Sequence, residues 1–302
     1  MSELQEMRAF ARTVEAAGFS AAARELNLSP SAVSKLVSRL EDRLGARLLH
    51  RTTRRVNPTE EGRAFYHRCV AILSEIQQAE EAVSELRGRV RGTLRVAAVS
   101  AFGRAHLVPL LPEFMSRFPD LRVELQLRER SVDLVDEGLD VALQFSETVS
   151  DESLVARKLF TNRRVVCAAP AYLERYGTPR VPEDLIDHNC LTHSSFVHFN
   201  DWEFTDRDGT RMLHVGGNFE ANSASSLYCA VVAGLGIARL ATFLVGRDVK
   251  AGRLVPLLTE YTHDQSSLLA VYPHRRHLSQ KVRAFVDFVT ENFTPVPPWE
   301  RD

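Results

Sequence analysis

The stretch "LNLSPSAVSKLVSRLEDRLG", residues 26–45, decides how the chain folds. Asn27 and Leu28 make a turn. Ser29 is a natural N-cap and Pro30 takes the first helical position, a pair that pre-sets a helix start. Val33, Leu36, Val37, Leu40 and Leu44 then share one stripe at helical spacing, and Gly45 ends the helix. At about 100° per residue the opposite face holds Ser31, Lys35, Ser38 and Asp42, with Ser34 and Arg39 at its flanks. A merely solvated face usually carries Glu and Lys. Serines let a backbone approach a partner closely, and serine and lysine both bond to bases and phosphates.

Upstream, Leu4, Met7, Phe10, Val14 and Ala17 recur at helical spacing, and Gly18 stands where a C-terminal cap belongs. Ser20 is then expected to cap a short Ala-rich helix ending near Leu26. Helix, short turn, helix is the helix-turn-helix arrangement, whose second helix enters the major groove. A serine-rich face alone fits a small solvated helical hairpin equally well. The next segment of chain favours DNA. "LLHRTTRRVNPT" is a strand start, a basic tip carrying Arg54 and Arg55, and a second short strand, which together make a wing. Between Arg24 and Arg68 ten basic residues face five acidic ones, a local +5 in a chain whose net charge is −1. That is the electrostatic footprint of phosphate binding.

Thr59 caps the next helix, with Glu60 and Glu61 at its positive dipole end. Phe65, Cys69, Ile72, Ile76, Ala79, Val83, Leu86 and Val90 follow alternating spacings of four and three. This heptad pattern marks a coiled-coil seam, with Phe65, Ile72, Ile76, Val83 and Leu86 as its main contacts. A helix packed on its own domain is the alternative. A dimer suits DNA reading, because two recognition helices meet two half-sites. "RGRVRGT", residues 87–93, breaks the helix as a hinge.

The run from Phe10 to Gly62, "FARTVEAAGFSAAARELNLSPSAVSKLVSRLEDRLGARLLHRTTRRVNPTEEG", resembles the winged helix of the LysR-type transcriptional regulators. Its S-x-x-S-K-x-x-x-x-L-E-x-x-L-G, L-x-x-R-T-x-R and T-x-x-G elements carry the likeness. "VDLVDEGLDVAL" and "RRVVCAAPAYLERYG" extend it over nearly the whole chain. The resemblance implies DNA contacts from Ser31, Ser34, Lys35 and Ser38, a groove-inserted arginine at Arg54 and a phosphate contact at Arg55.

The second half reads independently as α/β. "TLRVAAV" is a buried strand, Ser100 opens a helix that Pro119 ends, "VELQL" is a strand, "SVDLVDEG" a short helix, and "VALQF" a strand. This order predicts a parallel sheet covered on both faces. "RVVCAA", "PAYLERYG", a "DRDG" hairpin, "NSASSLYCAVVAGLG" and "IARL" make a second unit. "SLLAVY" and "QKVRAFVDFVTENF" close the chain, and "TPVPPWERD" is expected to be a loose tail. The resemblance implies two lobes joined by two crossovers, as in periplasmic binding proteins. The expected division is a winged helix over 1–58, a linker helix over 59–91 and a regulatory domain over 92–302. Its first lobe is 92–161 with 267–302, its second 162–266.

Ligands bind beyond strand ends and at helix N-termini in such sheets. Ser100, Phe102, Gln144, Phe145, Ser146, Asn222 and Ser223 meet that description, and the resemblance places the inducer cleft there. Ser100 and Ser223 also fit plain N-caps. Relatives often carry Arg at Gln144 and Pro at Ala241, so the effector's charge does not follow from the likeness.

The 302 residues exceed one ordinary core and suit two or three domains. "MSELQEMRAF" shows no signal-peptide pattern, and no stretch approaches a membrane span. Four dispersed cysteines without a C-x-x-C pair argue against zinc and a disulfide framework and suit the cytoplasm. Peroxide sensing at Cys190 is conceivable only by analogy, since no second cysteine lies close in sequence. Gly234-Leu235-Gly236 is a partial dinucleotide motif lying between helix and strand, the wrong order, and reads as a helix end. His193 and His198 flank an expected inter-lobe strand as polar linings. No catalytic motif, metal or cofactor is expected, so the protein is not read as an enzyme. The expected function is a sequence-specific regulator of transcription with a small effector, carboxylate or aromatic, between its lobes. Expected partners are double-stranded DNA with an interrupted inverted repeat, a second or fourth copy of the chain, and RNA polymerase. A two-lobed binding protein would leave the first 90 residues surplus, and a DNA-architectural protein the last 210.

Overall fold

The computed structural model describes residues 2–51, 56–85, 90–129, 133–134, 137–146, 153–207, 209–262, 265–273 and 278–301. Cα packing separates two units, residues 1–90 with 133–139 and residues 91–132 with 140–302.

The first unit opens with α1 (Glu3–Glu15), α2 (Phe19–Glu25) and α3 (Pro30–Leu44). The Ser29 hydroxyl accepts the Ala32 amide at 3.2 Å, and Gly45 caps α3 at φ 66°. The cap expected at Gly18 falls one residue earlier. Ala17 takes the left-handed conformation at φ 49°, while Gly18 is extended and precedes α2. Ser20 therefore lies inside α2 and does not cap it. Ala22 and Ala23 are buried, and their small side chains let α2 approach α3. Phe10, Val33, Val37, Leu40, Leu48 and Leu49 fill the core. Leu44, expected on the buried stripe, is exposed.

β1 (Leu49–Arg51) and β2 (Val56–Pro58) pair antiparallel as the arms of the wing. Glu41 Oε1 accepts the Leu48 and Leu49 amides at 2.9 and 3.1 Å, tying the wing to α3. α4 (Glu60–Glu85) starts at Thr59, whose hydroxyl donates to the Arg47 carbonyl at 2.8 Å and accepts the Gly62 amide at 2.9 Å. A Cβ on Gly62 would lie 2.0 Å from the Leu48 carbonyl oxygen. The T-x-x-G element is thus a hydroxyl clamp and a close crossing that admits only glycine.

The second unit has one continuous sheet in the order β11-β6-β13-β5-β3-β4, with β12 also on β6. β3 (Gly92–Val99), β4 (Leu121–Arg128) and β5 (Val141–Ser146) are parallel neighbours. Between β3 and β4 the chain runs through α5 (Ser100–Phe102), a π-turn over Gly103–Leu107 and α6 (Val108–Arg117). The helix expected in 131–138 lies partly outside the described residues. Of the described residues there, which belong to the first unit, Glu137 and Leu139 donate their amides to the Asp133 and Leu134 carbonyls, and Gly138 takes φ 63°.

β6 (Leu154–Ala168) is a single strand of 15 residues, longer than "RVVCAA" suggested. Its first part pairs antiparallel with β13 (Gln265–Pro273), its last part with β11 (Ile237–Ala241) and β12 (Val255–Leu257). The sheet is therefore mixed rather than parallel, because the strands that cross between lobes run back. The second lobe adds α7 (Pro170–Tyr176), β7 (Thr192–His193), the β8–β9 hairpin (Asp201–Asp206, Gly209–His214), β10 (Glu220–Ala221), α8 (Ala224–Val232) and α9 (Thr242–Lys250). β7 pairs with β10, so it is a short internal strand and not the inter-lobe strand expected beside His193.

α10 (Gln280–Phe293) returns to the first lobe, where the buried Lys281 Nζ donates to the Thr93 carbonyl at 2.8 Å and pairs with Asp140 at 3.2 Å. The tail is not loose. Trp299 is 2 % exposed, and Glu300 and Arg301 bond to α9. Gly234 at φ 79° ends α8, as its helix-end reading requires.

Candidate DNA-reading face and effector cleft

Capping and the buried stripe fix the roll of α3, and the roll decides which residues face outward. Lys35, Ser31 and Arg39 are exposed, and Ser34 and Ser38 are half-buried. Ser31 and Ser29 hydroxyls lie 3.0 Å apart at the helix start. Four of the predicted contacts thus share one outward face, with the helix N-terminus leading. Arg54 and Arg55, at the wing tip, lie outside the described residues.

The seam is divided. Phe65 packs on Phe10, ring centroids 5.7 Å apart, and Cys69 is fully buried in the same core. Phe65 therefore packs on the winged-helix core, because the first turns of α4 cover α1. Ile72 is 43 % exposed and Ile76 half-buried, an apolar edge of α4 that is only partly covered among the described residues. The Val83 side chain and Leu86 lie outside the described residues.

In the second unit Val99 occupies the N-cap position and Ser100 is the first residue of α5, buried at 8 % exposure. Ser223 precedes α8 with no side-chain cap bond. Neither hydroxyl serves as the plain cap that sequence allowed. Phe145 and Gln144 are half-buried at the end of β5, with Ser146 as its last residue, and Asn222 is exposed. Phe102 has no exposed surface, and its ring lies within 6.3 Å of Phe145, Phe160, Phe243, Phe293 and Trp299. Phe102 is a core ring behind the site rather than an open wall. Phe145 and Phe243 stack at 5.3 Å with 4° between their planes, joining β5 of one lobe to α9 of the other.

Sequence reading passed over several residues here. His106 Nε2 lies 2.7 Å from the Phe243 carbonyl. A carbonyl only accepts, so Nε2 carries the proton, and burial pushes the imidazole below its ordinary pKa. Asn162, 2 % exposed on β6 at the lobe crossing, donates through Nδ2 to Ser266 at 3.2 Å. Its Oδ1 has no hydrogen-bond partner among the described residues. In the second lobe Arg164 lies over the Phe199 ring at 4.4 Å, and His193 accepts the Ser195 amide at Nδ1. Burial also lowers the His193 pKa. His106, Asn162 and Arg164 stand outside any periodic pattern and gave no sequence signal.

Burial pushes the Cys190 thiol up to about 12, and its Sγ faces the Leu185 carbonyl at 3.6 Å. A reactive cysteine needs an accessible thiolate, so this geometry opposes a peroxide-sensing role at Cys190. Among the described residues no cluster suits a metal ion, and no helix is long and apolar enough to cross a membrane.

Residues 4–63 match the family described as bacterial regulatory helix-turn-helix protein, lysR family, and residues 87–294 match the LysR substrate binding domain. An uncharacterised HTH-type transcriptional regulator of Haemophilus influenzae is 36% identical over 282 residues, 93% of this chain and 98% of that one. The HTH-type transcriptional regulator CrgA of Neisseria meningitidis serogroup C is 37% identical over 288 residues, 95% of this chain and 96% of that one. Among solved structures, a full-length variant of AphB aligns with TM-score 0.70 at 26% identity, covering 96% of this chain and 98% of that one. The structure of CrgA from Neisseria meningitidis aligns with TM-score 0.64 at 34% identity and the same two coverages.

Proposed function

The chain belongs to the LysR family of transcriptional regulators, and from that premise we propose which of its residues read DNA and which receive the effector. Ser31, Ser34, Lys35 and Ser38 on α3 meet base edges and phosphates in the major groove. Arg54 enters the flanking minor groove, and Arg55 meets a phosphate. The observation that carries this reading is the outward Ser/Lys face of a helix capped at Ser29 and held to the wing by Glu41. The α4 edge from Ile72 through Ile76, Val83 and Leu86 pairs two copies, two such dimers can make a tetramer, and the operator is an interrupted inverted repeat. The proposed boundaries are 1–58, 59–91 and 92–302, and the compartment is the cytoplasm.

The effector lies between the lobes, against Ser100, Gln144, Phe145 and Ser146 on one side and Asn222 and Ser223 on the other. Two hydroxyls not engaged in capping and the half-buried ring of Phe145 suit a small carboxylate or aromatic molecule. Asn162 Oδ1 supplies an acceptor at the crossing. The signal then passes to RNA polymerase; no catalysis is assigned. The test is a thermal-shift screen of small carboxylates and aromatics on the full-length protein, followed by footprinting on its own upstream DNA with and without each hit. A protected inverted repeat whose footprint changes with the hit is expected. No protection at any upstream site would remove the DNA reading, and a footprint indifferent to every hit would remove the effector reading.

A further inference from the structure

The tail beyond α10 carries more structure than its composition suggests. After Phe293 the chain leaves the first lobe, and Trp299 drops its ring into the aromatic cluster. The indole centroid lies 4.2 Å from that of His106, 5.0 Å from Phe160, 5.6 Å from Phe293 and 6.2 Å from Phe243. His106 and Phe293 belong to the first lobe, Phe160 to the crossing strand and Phe243 to α9 of the second. Polar contacts repeat the bridge. Thr242 Oγ1 on α9 donates to Glu300 at 3.1 Å, and Lys250 Nζ at the far end of α9 donates to the Arg301 carbonyl. Arg301 in turn donates to the Val296 carbonyl at 2.9 Å and to the Asn292 carbonyl of α10 at 3.4 Å. α9 comes close at Gly246, where a Cβ would stand 3.3 Å from the Trp299 carbonyl oxygen.

We propose that Thr294–Arg301 is a latch between the lobes, seated by Trp299 and tied to α9, that holds one inter-lobe angle until the indole is drawn out. The seat is built to let go. Trp299 Nε1 is buried with no hydrogen-bond partner among the described residues. Burying the ring stabilises the seated tail, and leaving its N–H unpaired costs an amount of the same order. Release returns that N–H to water. An effector that turns the lobes must therefore work against this tail, which sets how far the lobes stand apart without a ligand. α9 joins Phe243, which stacks on Phe145, to Lys250, so motion at the cleft reaches the tail through one helix.

The test is a distance measurement on the full-length chain. Spin labels go on the exposed Cys229 of α8 and on Met115→Cys of α6, which is 44% exposed; Cys69, Cys167 and Cys190 are buried. Dilution with unlabelled chain restricts the signal to pairs within one chain. The intact tail is expected to give one narrow distance between the lobes. Trp299→Ala and a chain ending at Thr294 are expected to give a broader distribution extending to other distances, while Trp299→Phe, which keeps a ring, stays narrow. A wild-type distribution in both Trp299→Ala and the shortened chain overturns the latch. If those chains fail to fold by circular dichroism, Thr242→Val with Lys250→Ala decides, because it leaves Trp299 in place. Broadening there supports the latch and an unchanged distance overturns it. No DNA enters the measurement, so its failure leaves the DNA-reading assignment standing.

Discussion

The outer face of α3 and the aromatic centre of the second unit use polar groups in opposite ways. On α3 the Ser31 and Lys35 side chains point away from a core that is complete without them. In the second unit Asn162, Lys281 and Trp299 are almost fully buried and form part of the core itself. A surface that reads a polyanion can change residue by residue without touching stability. A buried polar group between two lobes cannot, because it is part of the core.

That contrast predicts where substitutions register. The largest expected effect is Asp140→Ala, which leaves the Lys281 ammonium buried without its carboxylate and the Arg95 amide without its acceptor. Removing one partner of a buried pair costs about 3–5 kcal/mol, read as a lowered midpoint in urea unfolding. A midpoint equal to wild type would mean that this centre tolerates charge as a surface does. Next is Ile76→Asp, expected to leave each chain folded and to split the dimer, since an unpaired carboxylate in an apolar seam costs several kcal/mol. Sedimentation showing intact dimers would move the seam off this edge of α4.

Smaller effects belong to the wing. Arg55→Ala is expected to make the slope of log affinity against log salt shallower by roughly 0.9, with sequence preference retained. Arg54→Ala is expected to lose more affinity on A·T-rich flanks than on G·C-rich ones. Salt titrations on two operators differing only in their flanks separate the two roles. The smallest effect is in pH. Burial lowers the folded-state pKa of both His106 and His193. The neutral forms are favoured in the fold, so their contribution is complete above the unfolded value of about 6.5 and is lost as pH falls below it. Thermal midpoints from neutral to acidic pH check the sign, and His106→Gln should flatten part of the slope.

The same contrast explains what was legible in the sequence. α3 was readable because its cap, its stripe and its terminal glycine are local and periodic. The T-x-x-G element stood in the sequence too, but its reason did not: the close passage of Gly62 over the Leu48 carbonyl is a tertiary fact. Phe65 continued the heptad rhythm unbroken, yet Phe10 claims it. β6 hid because "RKLFTNRR" changes partners midway, so no single face alternates along it. The aromatic cluster draws on β5, β6, α9 and the tail, four segments that no local pattern links. In "TPVPPWERD" the one clue was a tryptophan, an expensive residue to leave in water, among prolines and charges.

The central claim is that the α3 face reads DNA while standing apart from the core. Lys35→Ala tests it most directly, through affinity for the upstream operator and for unrelated duplex at one fixed salt, beside a thermal midpoint. A lost specific contact of about 1–3 kcal/mol predicts operator binding weaker by roughly one to two orders of magnitude. Binding to unrelated duplex should fall much less, and the midpoint should stay in place. Unchanged operator affinity with an unchanged midpoint would take Lys35 out of the interface and contradict the assignment.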